Sequence, residues 1–335
     1  MTKILILTNI GGPDDIDCYT KKEMKLLSGI ISSLGYKVSI LDMKNKKVQG
    51  TITKIEKLKP DLVFNLCEEI YGSSEAEPLM PQLFELLNID YIGCNSATLH
   101  LTCDKTRVKE ILSFHNIPTV KFQVFDLFKN KKIELRKGLR FPLFLKPSYG
   151  GGSVGIDEDS IVFTKKELDR KIKSVSKKMK KPVLVEEFLP GREFTAVVIG
   201  NEIRDKKPIV FPIMEIKFDK SFNSKNRFCF YDTKWSDRLC DKVVKKNPEI
   251  SKELRKKIEK LALDAYTALD CNDFARVDIR LDKKSNPFVM DINSNPGLMA
   301  SEMKTAAKFR GITFEKLIKM IIDSAIERCR LRKEM

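Results

Sequence analysis

The chain has 335 residues, enough for two or three domains with cores large enough to fold unaided. Its net charge is +16, but the lysines are spread over faces that helical spacing leaves to solvent, and no nucleic-acid-binding fingerprint accompanies them, so we do not expect a nucleic-acid partner. No segment has the run of about 18 apolar residues that a membrane span needs, and the first residues have the pattern of a strand and not of a signal peptide, which predicts a cytoplasmic protein.

The first hundred residues alternate short apolar runs with helical patterns. Strands are predicted at "KILILT", "YKVSIL", "DLVFNLC" and "DYIG", with helices over about 21–34 and from Pro78. This alternation predicts parallel βαβ units. Polar residues at the strand ends would then lie where open α/β sheets bind ligands: Asn9, Asn65, Glu68 and Glu69.

From about residue 104 the pattern changes to a smaller α+β unit. A helix capped near Thr102 or Asp104 leads into predicted strands at "VKFQVF", "RFPLFLKP", "SIVF" and "VLVEEF". The remainder predicts strands at "KPIVFPIMEIKF", "FARVDIRL" and "PFVMDIN", and helices over about 249–269 and 314–330. We therefore divide the chain into domains at 1–103, 104–190 and 191–335.

The cysteines and histidines argue against several kinds of site. The eight cysteines contain no C-x-x-C pair, and neither His100 nor His115 has a second His or Cys at ligand spacing. A zinc knuckle, a disulfide framework and a His-based catalytic triad are therefore not expected.

A glycine-rich loop, "KPSYGGGSVGID", follows a predicted strand at 146–157. Its G-x-G-x-x-G match has no helix after it, so it does not indicate a dinucleotide fold, and no Lys-Ser/Thr pair completes a phosphate-binding P-loop. Glycines between two strands are typical of flaps whose backbone N–H groups close over ATP phosphates. The alternative is a glycine hairpin that binds nothing.

Two strands near the C-terminus carry alternating charged and polar residues. Arg276 and Asp278 are two residues apart in "FARVDIRL", as are Asp291 and Asn293 in "PFVMDIN", so each pair shares one face of its strand. A hairpin between the strands would group two carboxylates and an amide, the hard oxygen ligands that suit Mg²⁺ on nucleotide phosphates. The alternative is an Arg276–Asp278 pair on a solvated strand, followed by a plain turn.

The segment "VLVEEFLPGREF" at 183–194 has the form of an extended connector between domains. Such a connector can offer its backbone to an adenine edge while Phe188 and Leu189 pack on the ring. A core strand with exposed acidic residues would give the same pattern.

Taken in order, these motifs resemble the ATP-grasp superfamily, and within it the D-alanine–D-alanine ligase group. The resemblance runs from "DLVFNL" through "TCDKTRVKEIL", "FPLFLKP", "GGGSVG", "FARVDIRL" and "MDINSNPG" to "GITFEKLI", most of the chain. It implies a three-domain α/β fold with an N-terminal parallel-sheet domain, a central α+β lid domain and a C-terminal α+β domain. It also implies phosphoryl transfer from ATP to a carboxylate, followed by attack of an amine on the acyl phosphate.

The resemblance assigns roles residue by residue, with ATP and Mg²⁺ (or Mn²⁺) as cofactors. The implied ATP-binding residues are Lys105, Lys146, Gly151, Gly152, Ser153, Val154, Glu186, Glu187, Phe188, Leu189 and Glu193, the last on the ribose. The implied metal ligands are Asp278, Asp291 and Asn293, and the implied catalytic residues are Arg276, Lys234, Ser153 and Gly297.

The chain departs from the group mainly where the amino-acid substrates bind. The group's G-G-x-S-x-E becomes "GGPDDID", its H-G-x-x-G-E-D-G becomes "CEEIYGSSEAE", and Lys234 is followed by Trp235 where the group has tyrosine. A serine that helps to hold the second carboxylate aligns with Glu302, or with Ser301 one place earlier. The candidate substrate residues are therefore Asp15, Glu68, Glu69, Trp235, Ser301 and Glu302.

We expect a ligase acting on small amino-acid or peptide substrates that differ from two D-alanines. One alternative is a true D-alanine–D-alanine ligase of cell-wall synthesis. Another, of a different class, is a non-catalytic nucleotide- or polyanion-binding module. The resemblance also implies a homodimer.

Overall fold

The computed structural model describes residues 1–11, 18–43, 48–130, 132–204, 206–222, 228–235, 239 and 241–334, with the backbone alone at 234 and 235. The strands of these residues form three sheets that follow one another along the chain. The fold is thus a mixed α/β architecture, as predicted.

The first sheet is entirely parallel and has the strand order β2-β1-β3-β4. Its strands are β1 (Lys3–Thr8), β2 (Lys37–Asp42), β3 (Leu62–Leu66) and β4 (Tyr91–Ile92). Between them run α1 (Lys21–Ser33), α2 (Val48–Leu58) and α3 (Leu79–Leu86). The predicted βαβ units are confirmed, and α1 begins at a capping box between Thr20 and Glu23.

The second sheet is antiparallel and has the order β5-β8-β6-β7. Its strands are β5 (Phe122–Phe125), β6 (Leu143–Pro147), β7 (Ile161–Val162) and β8 (Val183–Glu187). Its helices are α4 (Ser96–Cys103), α5 (Lys105–Phe114) and α6 (Lys165–Met179), of which α4 and α5 lead into the sheet. The predicted strand "SIVF" begins one residue late, because Ser160 belongs to a 3₁₀ turn that Asp157 caps.

The third sheet has the order β12-β11-β9-β13-β14, with the short β10 on β9. Its strands are β9 (Glu193–Ile199), β10 (Ile209–Val210), β11 (Met214–Phe218), β12 (Val243–Lys246), β13 (Phe274–Leu281) and β14 (Pro287–Asn293). Its helices are α7 (Tyr231–Trp235), α8 (Lys252–Ala268), α9 (Ser301–Phe309) and α10 (Phe314–Glu334). The sequence prediction contained α8 and α10 but missed α2, α4, α7 and α9.

One apolar core joins the first and third sheets. Phe64 of β3 and Phe274 of β13 meet edge to face with ring centroids 6.3 Å apart, and the buried face of α10 packs on the same core. The core brings the carboxyl ends of the parallel strands beside the third sheet. The domain boundaries at 103/104 and 190/191 stay a prediction.

A buried carboxylate ties these elements together. Asp273 is fully buried and accepts a two-point hydrogen bond from Arg328 of α10, at 3.1 and 2.8 Å. It also accepts hydrogen bonds from the backbone N–H of Gly93 and the side-chain amide of Asn201, each at 2.8 Å. Arg328 in turn donates to the Tyr91 carbonyl at 2.8 Å.

Of the helices in the described part of the chain, none combines the length and apolarity that crossing a membrane requires.

Replacing Asp273 by Asn should destabilise the fold strongly, because Arg328 would keep its charge in a buried site without its counter-charge. We expect a loss of about 3–5 kcal/mol in the free energy of unfolding, measured by urea denaturation. The matched control is Asp323→Asn on α10, the helix that carries Arg328. Asp323 is half exposed and pairs with Lys319. That change should cost less than about 1 kcal/mol. Equal costs for the two variants would contradict the role given to Asp273.

Candidate active site

The register of the β13–β14 hairpin groups the predicted metal ligands. Asp278 lies opposite Asp291 and Arg276 opposite Asn293. Directly opposed side chains of an antiparallel pair share a face, so these four groups lie together, as predicted. A bulge at Met290 separates this group from the regular pairing further along the hairpin.

Arg276 and Asp278 form a two-point ion pair, with both N···O distances at 3.1 Å. Thr195 of β9 donates a further hydrogen bond to Asp278 at 2.7 Å. The side chains of Arg276 and Asp278 are only 14% and 28% exposed, so this is not a pair on a solvated strand. Burial alone would lower the pKa of Arg276, but Asp278 and Glu302 raise it, and the guanidinium stays charged.

The donor set of this hairpin fits Mg²⁺. Asp278, Asp291 and Asn293 offer two carboxylates and an amide oxygen, all hard ligands. Among the described residues no cluster of three or more His, Cys, Asp or Glu side chains has the arrangement of a metal site. A partial set suits Mg²⁺, which usually keeps waters and takes its remaining ligands from substrate phosphates.

A buried trio of charges lies beside the hairpin. Glu186 of β8 is fully buried, with Lys109 of α5 at 2.8 Å from one carboxylate oxygen and Lys146 of β6 at 3.2 Å from the other. Lys146 also reaches the Met290 carbonyl in the bulge, at 3.4 Å. Burial alone would raise the pKa of Glu186, but the two lysines hold it below its ordinary value. Glu186 is therefore an internal counter-ion for both lysines.

Lys109 was not predicted from the sequence, because the helical pattern around it does not mark it as a functional residue. The residue lies one helical turn after Lys105 in a helix with several other charged residues. Burial lowers its pKa, Glu186 acts in the opposite direction, and Thr119 accepts a hydrogen bond from it at 3.1 Å. Only the packing of α5 on the second sheet distinguishes it from a solvated lysine.

The connector between β8 and β9 is organised by Arg280, which was also missed. Arg280 pairs with Glu193 at 2.6 Å, donates to the Leu189 carbonyl at 2.6 Å and stacks over the Phe188 ring at 4.9 Å. Arg280 lies on the same strand face as Arg276 and Asp278. Its i, i+2 spacing from Asp278 was therefore the sequence signal that could have identified it. Because Glu186 is buried, the alternative of a core strand with exposed acids does not describe this segment.

The glycine loop is held at its start by the helix before it. Lys105, at the beginning of α5, donates through its ammonium to the Gly150 carbonyl, and its backbone N–H donates to the Ser148 carbonyl at 2.9 Å. Gly155 has φ +80°, and a Cβ there would lie 2.7 Å from Pro147. The loop residues 151–154 lie at least partly open to solvent, and the side chain of Val154 is exposed.

The carboxyl edge of the first sheet faces the turn after β14. Tyr19 accepts a hydrogen bond from the Leu298 N–H at 3.0 Å, and Glu77 accepts one from the Asn295 amide at 2.7 Å. A carboxylate oxygen of Glu68 lies 3.6 Å from where a Cβ on Gly297 would be. Burial and the neighbouring Glu68 raise the pKa of Tyr19. Glu68 and Gly297 are thus neighbours, although 229 positions separate them in sequence.

The side chain of Glu69 has a different partner at this edge of the sheet. Its carboxylate accepts a long hydrogen bond from Cys18 Sγ at 3.9 Å, while the backbone N–H groups of Glu68 and Glu69 both donate to Asn9. Asn9, predicted at the end of β1, therefore shapes the loop that carries both carboxylates.

The first turn of α9 supplies a second carboxylate near Arg276. Glu302 pairs with Lys245 of β12 at 3.2 Å, and Lys245 donates to Ser301 at 2.8 Å. Burial alone would raise the pKa of Glu302, but Arg276 and Lys245 lower it to about 2. Ser301 and Glu302 thus lie beside the candidate catalytic arginine, on a helix that the sequence prediction did not contain.

Three predicted residues cannot be placed in this site. Asp15 lies outside the described residues. Lys234 and Trp235 end α7, but their side chains also lie outside what the structure describes.

Replacing Glu186 by Gln should destabilise the protein, because it would leave two buried ammonium groups without a counter-charge. We expect a loss of about 3–5 kcal/mol in the free energy of unfolding, by urea denaturation. Glu187→Gln, at the adjacent and less buried position, is the matched control and should cost much less. Adding Lys109→Met to Glu186→Gln should recover part of the loss. If the double variant were less stable than Glu186→Gln alone, the buried trio would not be held by charge balance.

Comparisons with known proteins agree with this architecture. Residues 111–323 match the family described as "D-ala D-ala ligase C-terminus". D-alanine–D-alanine ligase from Carboxydothermus hydrogenoformans is 34% identical over 88% of this chain and 89% of its own length. The enzyme of the same name from Moorella thermoacetica is 29% identical over 97% of this chain and 99% of its own.

A solved structure shares the fold at lower sequence identity. The crystal structure of D-alanine–D-alanine ligase from Bacillus anthracis complexed with ATP superposes with a TM-score of 0.73 at 22% identity, over 99% of this chain and 100% of that one. The resemblance read from the motifs is thereby confirmed. The chain belongs to the D-alanine–D-alanine ligase family and is an ATP-grasp enzyme, an ATP-dependent carbon–nitrogen ligase that uses ATP and Mg²⁺.

Proposed function

We propose that the chain joins the carboxylate of one amino acid or small peptide to the amine of another through an acyl phosphate, and that its substrate pair differs from two D-alanines. The observation that carries the proposal is the hairpin face with Arg276, Asp278, Asp291 and Asn293, which lies between Lys146 and the Gly297 turn. This face places fixed cations and hard oxygen ligands next to the carboxyl edge of the first sheet, whose carboxylates are the candidate substrate ligands.

The cofactor-binding residues are assigned from this arrangement. Asp278, Asp291 and Asn293 would hold Mg²⁺, and Lys105 and Lys146 would bind phosphate oxygens. Glu187, Phe188 and Leu189 would contact the nucleotide base and Glu193 the ribose, while Glu186 would act by holding Lys146. When bound, ATP supplies the phosphoryl group that activates the carboxylate, and Mg²⁺ neutralises phosphate charge.

The residues of the chain then serve the second step. The acceptor nitrogen attacks the acyl carbonyl carbon, the new C–N bond forms, and the C–O bond to phosphate breaks as phosphate leaves with one proton from the amine. Arg276 and the backbone N–H at Gly297 would stabilise the oxyanion of the tetrahedral intermediate, and Lys234 and Ser153 are the further catalytic candidates that the resemblance implies. The loop over Gly151, Gly152 and Val154 would exclude water from the acyl phosphate.

The donor amine is assigned to the first sheet. Glu68 lies beside Gly297 itself, whereas Glu77 already accepts a hydrogen bond from Asn295, so we propose that Glu68 holds the ammonium group of the donor. Glu69, Asp15 and Trp235 are the further candidates from the sequence.

A true D-alanine–D-alanine ligase is the second candidate, and the names of the relatives favour it. Against it stand the substitutions on the substrate side, above all Glu302 beside Arg276. A non-catalytic binding module would not need the full set of paired charges at the hairpin. The homodimer and the cytoplasmic location stay predictions.

Loss of the hairpin charges should stop the reaction without unfolding the protein. We expect Asp291→Asn and Arg276→Ala each to lower substrate-dependent ADP release at least 100-fold, because each removes fixed charge from the reacting centre. Thermal unfolding should show that both variants stay folded. The control is Asp264→Asn on the exposed face of α8, which should retain full activity. Near wild-type turnover in either hairpin variant would refute the site assignment.

Replacing Glu68 by Gln tests the donor site separately. We expect the KM for the donor amino acid to rise at least tenfold while the KM for ATP changes little, because the carboxylate is assigned to the donor ammonium. Glu56→Gln, an exposed change on α2, is the control. An unchanged donor KM would place the amine elsewhere.

A further inference from the structure

We propose that the acceptor of this ligase carries no free carboxylate next to its amine, and that Glu302 enforces this selection. The acceptor class is then an amino-acid amide, a simple amine or the amino end of a peptide. The inference rests on the proposed function, because it takes Arg276 and Gly297 as the place where the acceptor amine attacks.

Glu302 lies where an acceptor must arrive. The turn after β14 leads directly into α9, with the Ala300 N–H bonded to the Gly297 carbonyl at 3.0 Å. Glu302 is the second residue of this helix, its side chain is 19% exposed, and its charge acts on Arg276. An acceptor amine at the acyl carbonyl beside Gly297 would therefore have Glu302 as a neighbour.

The two cations at this end of the site already face carboxylates. Arg276 is held at two points by Asp278, and Lys245 is held by Glu302 and Ser301. An incoming carboxylate would have to share these cations with the carboxylates already bound to them, and it would meet the negative charge of Asp278 and Glu302. This arrangement repels anions through a fixed like charge.

Protonation does not remove this charge. The pKa of Glu302 is about 2, since Arg276, Lys245 and its own backbone N–H outweigh the effect of burial. The carboxylate is therefore ionised throughout the pH range in which such an enzyme can be assayed.

The size of an α-amino acid keeps its carboxylate close to its amine. Its carboxylate carbon is two bonds from the nitrogen, so placing the amine for attack also brings the carboxylate close to Glu302. A carboxamide has the same shape but no charge, and its N–H groups can donate to Glu302. The site therefore favours the neutral, hydrogen-bond-donating form of the same acceptor.

The experiment compares acceptors that differ in this group alone: D-alanine with D-alaninamide, and L-alanine with L-alaninamide. Donors are first identified with hydroxylamine, a small neutral acceptor that converts an acyl phosphate to a hydroxamate. The hydroxamate reports that the donor carboxylate was activated, and its formation does not require the acceptor to fit its binding site. For each activated donor, the ratio of kcat/KM for amide over acid is measured, with both values expressed per concentration of unprotonated amine, because the ammonium group of the amide is the more acidic. We expect at least tenfold in favour of the amide for the wild type.

Variants of Glu302 should shift that ratio. Glu302→Ser should move it at least tenfold toward the free acid, and near-isosteric Glu302→Gln in the same direction by less. Glu253→Gln, in the exposed first turn of α8, is the matched control and should keep the wild-type ratio. The wild-type ratio is measured without any variant, so it tests the proposal even if Glu302→Ser folds poorly.

The outcomes separate this inference from the function beneath it. Hydroxamate formation with a wild-type preference for the free acid, or a ratio unchanged by both substitutions, would overturn the role of Glu302 and leave the ligase proposal standing. A preference for the free acid would indicate that Lys245 and Ser301 receive the carboxylate. No hydroxamate from any D- or L-amino acid or dipeptide would overturn the proposed function, and this inference with it.

Discussion

The register of the β13–β14 hairpin is the constraint on which the rest of the site depends. One face carries Arg276, Asp278, Asp291 and Asn293, and the other buries Val277, Ile279, Val289 and Ile292 in the apolar core. A slip of one residue would bury the charges and expose the apolar set, so the core enforces the register of the site. The bulge at Met290 resolves the mismatch in spacing, because it lets Val289 and Ile292, three residues apart, face the core together.

A second rule governs the charges themselves, because nearly every functional charge has a partner. Glu186 lies between two lysines, Arg280 holds Glu193, and Lys245 holds Glu302. Buried charges are tolerated only when paired, so these partners explain how the site can be largely buried and charged before any ligand binds. They also restrict what may enter, since each new anion competes with a carboxylate already in place.

The sequence predicted those parts of the site whose signal is local. Strand periodicity predicted the pairing of Asp278 with Asp291, and the glycines predicted the loop after Lys146. The missed residues act through distant partners: Lys109 needs Glu186, 77 positions later, and Lys245 needs Glu302, 57 positions later. Helix α9 was missed because its short pattern follows a Pro-Gly turn and has no side-chain N-cap at Ala300.

The proposed chemistry activates a carboxylate as an acyl phosphate on this hairpin. The most direct test uses a donor amino acid labelled with ¹⁸O in its carboxylate, with mass analysis of the phosphate released during product formation. Activation as an acyl phosphate should give one ¹⁸O atom in each released phosphate, because the carboxylate oxygen that takes up the phosphoryl group departs with it. Unlabelled phosphate, or label recovered in AMP with release of pyrophosphate, would contradict it.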